Sequence, residues 1–268
     1  MAGGSACQFW PSEEASSVIF PFKDDDRLLV RPAFVTGVFI FFNVAVFLLQ
    51  LYAPNLVYGF GAVPYELTKG VDLKGDVLLK TNEVISHFPG PGVIQLTTIT
   101  SLFLHGGWLH LGGNLVYLYI FGDNVEHRFG SGLFIIVYLV CGIVAAVTQV
   151  ALAPLSLIPI IGASGAVSGV MGAYLALFPR NRVVCLFVFR VISLPAAVVL
   201  LGWLLLQVVS GYLERGGVGG GGVAYGAHVG GFVAGLLLGV VARMVLKEEP
   251  ETELGKRLKA DDKVKRLW

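Results

Sequence analysis

The chain has 268 residues, 55% of them hydrophobic and only 14% charged, with a mean hydropathy of +0.76. A soluble domain carries roughly 25% charged residues, and a net charge of +1 leaves no electrostatic footprint for nucleic acid. The charges avoid several apolar runs long enough to cross a bilayer, which excludes an ordinary soluble domain and predicts an all-α polytopic membrane protein.

The first thirty residues hold no secretory signal, because Glu13, Glu14 and Asp24-Asp25-Asp26 interrupt any apolar region. Six spans are predicted at Ala33–Tyr52, Leu102–Gly122, Gly132–Leu152, Ser164–Phe178, Pro195–Gly211 and Val223–Leu246, each boundary good to ~2–4 residues. They divide the chain into a cytoplasmic N-terminal segment (1–31), a six-span membrane domain (32–246) and a charged cytoplasmic tail (247–268). The external loop Ala53–Ser101 is long and rich in Gly and Pro, yet carries apolar runs such as Val93-Ile94-Gln95-Leu96. Loops longer than about 12–15 residues are usually functional or disordered, and the apolar runs predict partial immersion. Val183–Ser193 is β-branched and interrupted by Arg190, and reads as an interfacial stretch or as the start of a longer fifth span. Cys7, Cys141 and Cys185 are odd in number and widely spaced, so small buried hydrophobes are expected and a disulfide framework is not. With the N-terminus inside, fifteen Lys and Arg fall in cytoplasmic segments and only Lys69, Lys74, Lys80 and Arg215 outside. That asymmetry predicts both termini in the cytoplasm.

Polar residues at membrane depth need an explanation. On the second span His110 and Asn114 stand at i and i+4, on one helical face. The fourth span opens Gly162-Ala163-Ser164-Gly165 and the sixth opens Ala227-His228-Val229-Gly230-Gly231, with Gly235 one turn further. In this topology all three enter from the outer side, so their polar residues share one depth. Ser164, Ser168 and Gly172 make one small-residue stripe; His228, Gly231 and Gly235 make another. Facing small residues let two backbones approach closely, which would bring the Ser164 hydroxyl to the His228 ring as a nucleophile and its base. His110, the Asn114 amide and the Ser164 N–H are then available to a developing oxyanion. No carboxylate lies at that depth, so tautomer control of His228 falls to packing or to a neighbouring polar group.

Each signal has a plainer reading. A lone Ser in a membrane helix is ordinarily a packing or hydrogen-bonding residue, and Gly231-x3-Gly235 is common at helix crossings. His105, His110 and His228 lack metal-site spacing and a carboxylate partner, so no metal and no cofactor is expected. His105 reads as a loop-to-helix anchor and His127 as an interfacial or capping residue. Nor is the Ser164 segment the nucleophile elbow of soluble hydrolases, since Ala166 stands where a final Gly is required. The weight lies in their common depth.

These residues closely resemble the rhomboid family of intramembrane serine proteases. The matching parts are His105-x4-His110-x3-Asn114, the segment Gly122 to Gly130 with Glu126 and Arg128, Gly162-Ala163-Ser164-Gly165, and Ala227-His228-x2-Gly231-x3-Gly235, over roughly Pro32 to Leu246. The resemblance implies a six-helix bundle with a water-filled active site open to the outside. It makes Ser164 the nucleophile, His228 the base, His110 and Asn114 oxyanion donors, and Glu126 and Arg128 structural. Ser168 departs from the family, which often has an aromatic residue there against the catalytic histidine, and the first external loop lacks a Trp-Arg pair. The glycine-rich run 216–222 resembles the flexible cap over the family's site and equally a plain linker.

The expected function is therefore cleavage of transmembrane segments of other membrane proteins near the outer face of the bilayer. A helix with its backbone bonds satisfied is a poor substrate, so Gly, Pro or polar residues are expected near the cut, with small side chains at the site on the family resemblance. A non-cleaving rhomboid-like protein that binds membrane clients is the alternative. A transporter is a third, opposed by the absence of paired repeats and of an intramembrane carboxylate. The expected partners are the substrate and the bilayer, without nucleic acid, and the expected location is a bacterial or archaeal plasma membrane.

Overall fold

Runs of about twenty residues without charge, ended by Pro, Gly or clustered polar groups, become the long helices of the computed structural model. It describes residues 19–24, 33–78, 84–215 and 223–246. Most of the N-terminal segment, Cys7, the glycine run 216–222 and the charged tail lie outside the described residues. Helix α1 (Phe34–Tyr52) stops before Ala53-Pro54, where the residue preceding proline leaves the helical region. The long loop carries two short helices, α2 (Leu56–Phe60) and α3 (Pro64–Lys69), then the hairpin β2–β3 (Gly75–Leu78, Val84–His87). A 3-10 turn and α4 (Thr97–Thr100) lead back to the bundle. Helices α5 (Trp108–Phe129), α6 (Ser131–Leu152), α7 (Ser164–Leu177), α8 (Ala196–Arg215) and α9 (Tyr225–Val245) complete it. Only Gly130 separates α5 from α6, and its φ of +75° makes the reversal cheap for glycine alone.

Four of these helices, α1, α6, α8 and α9, are long and apolar enough to cross a membrane. The protein is mostly helical, and the expectation of an all-α chain needs correction in two places, the first being the hairpin β2–β3 of the long loop. Val183–Ser193 belongs to an antiparallel hairpin, β4 (Arg182–Phe187) and β5 (Arg190–Pro195), joined by β1 (Ile19–Lys23) in the order β1-β4-β5. The reason is period two: Val183 and Cys185 are fully buried while Arg182 and Leu186 face outward, as a half-buried strand requires. The second span also begins six residues later and ends seven residues later than expected. Gly106-Gly107 break the helix at its start, and buried, bonded polar groups let it continue past Gly122.

Those polar groups tie the helix ends opposite Ser164 and His228. The Glu126 carboxylate accepts from the Val35 N–H (2.9 Å), the Thr36 N–H (2.7 Å), the Thr36 hydroxyl (2.9 Å) and the Ser131 hydroxyl (2.7 Å). It thereby caps α1 from another helix, satisfying amides that have no intrahelical acceptor. Arg128 donates to the Leu246 carbonyl beyond α9 at 2.8 Å. Asp24 accepts from Asn124 (2.8 Å) and from the Tyr174 hydroxyl (2.6 Å), pinning β1 to α5 and α7. Short α7 runs through the middle, packed against α5, α6, α8 and α9. Its residues Ala166, Val170, Ala173 and Tyr174 are fully buried.

Candidate active site at the helix ends

Close approach of α7 and α9 creates the site. A Cβ added at Gly231 would fall on the Gly165 carbonyl oxygen, one at Gly235 on the Gly169 carbonyl oxygen, and one at Gly172 on the Phe232 carbonyl oxygen. The contact face of α7 is thus Gly165, Gly169 and Gly172, one residue round from the Ser164–Ser168–Gly172 stripe expected from the sequence. Gly231 and Gly235 lie on the contact face of α9. Ser164 consequently sits on the flank of the crossing with its hydroxyl free to reach sideways.

It reaches His228: Ser164 Oγ lies 2.8 Å from His228 Nε2. The other ring nitrogen, Nδ1, lies 2.7 Å from Oε1 of Gln207 on α8. Trp203, one turn before Gln207, packs on the imidazole at 5.9 Å between centroids, and Tyr225 meets it edge-on at 6.4 Å. Ser168 does not support the ring. Its hydroxyl donates back to the Ser164 carbonyl at 2.6 Å inside α7, and the aromatic neighbour comes from α8.

Helix α5 carries two further donors, His110 and Asn114. The Gly106 N–H points at His110 Nδ1 (3.3 Å), so that nitrogen accepts and Nε2 carries the proton. His110 Nε2 faces Gly162: a Cβ there would stand 2.5 Å from Nε2 and 3.5 Å from Ser164 Oγ. Gly162 has a φ of +116° and donates its N–H to the Ser101 carbonyl at 2.9 Å, so both space and backbone demand glycine. Asn114 is buried, and its Nδ2 is a donor without a hydrogen-bond partner. The Ser164 N–H, at the first position of α7, belongs to the amides a helix leaves open. Behind them His105 is 2% exposed and held through its own backbone by both ends of the Gln50 amide (2.9 and 3.0 Å). Its ring supports that of His110 at 5.2 Å.

Of the six residues singled out in the sequence, Ser164, His228 and His110 are brought together, Gly231 and Gly235 lie in the crossing of α7 and α9, and Asn114 follows one turn after His110 on α5. Glu126 and Arg128 are at the far end of the bundle. Sequence reasoning missed Gln207 and Trp203. The signal was present, since Gln207 is a lone amide in the apolar stretch Leu204–Val209 and needs a partner there. Among the described residues no group of three or more His, Cys, Asp or Glu is placed to hold a metal ion. A hydroxyl bonded to an imidazole beside unpartnered donors has the elements of acyl transfer.

Residues 95–245 match the family model of the Rhomboid domain. The chain is similar to Rhomboid protease GluP of Bacillus subtilis, 32% identical over 53% of this chain and 26% of that protein. It is also similar to Rhomboid protein 1, mitochondrial, of Saccharomyces cerevisiae, 29% identical over 60% of this chain and 45% of that one. A shorter match joins it to Putative rhomboid protease YdcA of Bacillus subtilis, 35% identical over 29% of this chain and 38% of that one. The chain spans less than half the length of each of these relatives.

Proposed function

Since the chain belongs to the rhomboid family, we propose that it is an intramembrane serine endopeptidase cutting transmembrane segments of other proteins near the outer face of the bilayer. The observation that carries this reading is the 2.8 Å contact between Ser164 Oγ and His228 Nε2. As Oγ attacks the scissile carbonyl carbon, Nε2 takes its proton. The carbonyl oxygen becomes an oxyanion facing three donors: His110 Nε2–H, Asn114 Nδ2–H and the Ser164 N–H. When the C–N bond breaks, His228 returns the proton to the departing amine and leaves the acyl group on Ser164. Water, deprotonated by the same nitrogen, then releases the acid and restores the hydroxyl.

The bilayer frame belongs to the same proposal. We take α1, α5, α6, α7, α8 and α9 as six spans in a domain over residues 32–246, with 1–31 and 247–268 on the cytoplasmic side. Helix α7 has 14 residues and so rises about 21 Å, less than the ~30 Å hydrocarbon thickness. Ser164, at its outer start, is then sunk below the surface, where water arrives only through a cavity and the substrate arrives from lipid. A substrate helix must unwind locally to offer its carbonyl, which favours segments broken by Gly, Pro or polar residues. The membrane proposed is a plasma membrane, and the name of the yeast relative extends the family to mitochondria.

The test is cleavage of a transmembrane model substrate in proteoliposomes, together with labelling by a serine-reactive fluorophosphonate. Wild type should do both and Ser164→Ala neither. Substrate binding by wild type with no cleavage and no labelling would overturn the reading in favour of a non-cleaving client binder.

A further inference from the structure

An imidazole that deprotonates serine must carry its own proton on the remote nitrogen and keep the near one as a lone pair. In serine hydrolases with a triad, a carboxylate imposes that tautomer. Among the described residues no carboxylate is bonded to His228; Nδ1 meets the amide of Gln207 at 2.7 Å. We propose that Gln207 is the positioning residue of the site: its side-chain oxygen accepts the His228 Nδ1–H and so keeps the Nε2 lone pair on Ser164. This inference rests on the Ser164–His228 reading and deepens it.

Three observations carry it besides the distance. Gln207 and Trp203 are one turn apart on α8, and the same face supplies a bond at the ring's edge and an aromatic surface for the ring. Trp203 is itself stacked on Phe232 of α9 at 6.1 Å, so the face that orients His228 is anchored to the helix that bears it. The surrounding residues of α8, Leu205, Leu206, Val208 and Val209, are exposed and apolar, which leaves Gln207 as the polar group of that stretch. An amide among apolar neighbours is costly unless it is bonded, and the bond it makes is to His228. The chemistry also fits the depth. A neutral acceptor fixes the tautomer without adding a charge to a site where a carboxylate would be expensive to bury. If the amide were turned the other way, its NH2 would donate to Nδ1, force the proton onto Nε2 and leave Ser164 without a base.

Two replacements of similar length separate positioning from packing. Gln207→Met keeps the volume and the unbranched stem but offers no strong acceptor; Gln207→Glu, once ionised, has acceptors and no donor. Cleavage kinetics of the full chain in proteoliposomes should show kcat falling on the order of 10–100-fold in Gln207→Met, the size seen when the hydrogen-bond partner of a metal-ligating histidine is removed. KM should stay within about twofold, because a positioning residue acts after substrate binds. Gln207→Glu should recover most of that loss. A structural role predicts the reverse order, since Met suits an apolar interface and Glu does not. Fluorophosphonate labelling rates, normalised to the final labelled amount, report Ser164 reactivity in folded protein alone and should follow the same order. Turnover in Gln207→Met equal to or above that of Gln207→Glu overturns the proposal. An active Ser164→Ala variant would sink the protease reading itself; an inert Ser164→Ala beside a fully active Gln207→Met sinks only the role of Gln207.

Discussion

Ser164 and His228 stand 64 positions apart in the chain and 2.8 Å apart in space, and if they act as one unit their losses cannot add. Ser164→Ala and His228→Ala should each abolish turnover, with the double variant no slower than either single one; multiplying rate losses would rule out a dyad. Asn114→Ala should lower kcat while leaving KM nearly unchanged. Loss of an oxyanion donor costs about 10²–10³ in rate elsewhere, and less is expected here because His110 and the Ser164 N–H remain. An unchanged kcat would return Asn114 to packing. Ser164, His228, His110 and Asn114 could be singled out in the sequence because polar side chains at one expected depth call for an explanation. Gln207 was not, because an amide in a span looks the same whether it binds a backbone carbonyl or a histidine ring. Only the register of α8 against α9 distinguishes the two, and that register depends on contacts from the whole bundle.

At the scale of helices, small-residue spacing revealed that α7 and α9 would meet but not which face of α7 would be used. Ser164-x3-Ser168 and Gly165-x3-Gly169 are both i, i+4 stripes, and the choice goes to glycine: a Cβ at Gly165 or Gly169 would run into Ala145 or Cys141 of α6, and the Gly165 and Gly169 carbonyl oxygens fill the space that a Cβ at Gly231 or Gly235 of α9 would need. Gly235→Ala should therefore be overpacked and lose about 1–3 kcal/mol of stability. Gly202→Ala, on the open side of α8, should lose nothing measurable by thermal unfolding. Equal stability of the two variants would place the crossing elsewhere. The hairpin β4–β5 escaped because an apolar β-branched run of eleven residues between spans fits a helix start as well as a strand. In the first loop, buried Glu66 accepts the Leu73 N–H (2.9 Å) and lies 4.0 Å from buried His87. Burial holds the Glu66 carboxyl above its ordinary 4.5, against the Leu73 bond and with help from Asp72. A raised folded value means stability present below 4.5 and lost as pH rises through it. Glu66→Gln keeps the acceptor and removes the charge, so its melting temperature should exceed wild type at pH 8, with the gap closing as pH falls to 4.5. Burial depresses His87, whose contribution is lost as pH falls below 6.5 through its folded value; because it lies 4.0 Å from Glu66 the two are coupled, and the comparison is made in a His87→Gln background, which removes that contribution from both proteins. A gap that widens on acidification would refute the account of Glu66.

For the whole molecule, hydropathy finds α1, α6, α8 and α9 easily and passes over α5 and α7. The reason lies in their residues: α5 carries His110 and Asn114 near one end and Asp123, Asn124 and Glu126 near the other, while α7 has only 14 residues and begins at Ser164. The bundle is therefore polar at both ends in different ways, donors and dyad at one, capping carboxylate and arginine ties at the other. On the proposed topology the lysine and arginine asymmetry would set the dyad outward and the Glu126 end toward the cytoplasm. Cysteine mapping tests that directly. Cys141 and Cys185 are buried and should stay silent, and Cys7 is replaced by Ser to clear the background. Lys69→Cys, exposed at the end of α3, should react with a membrane-impermeant maleimide in right-side-out vesicles. Arg180→Cys, exposed in the turn after α7, should react only after permeabilisation. The opposite pattern would turn the bundle over and put Ser164 at the cytoplasmic face. The fold and the dyad would survive that result, but substrates would then have to be cut near the inner leaflet, and the proposal of an outward-facing protease would fail.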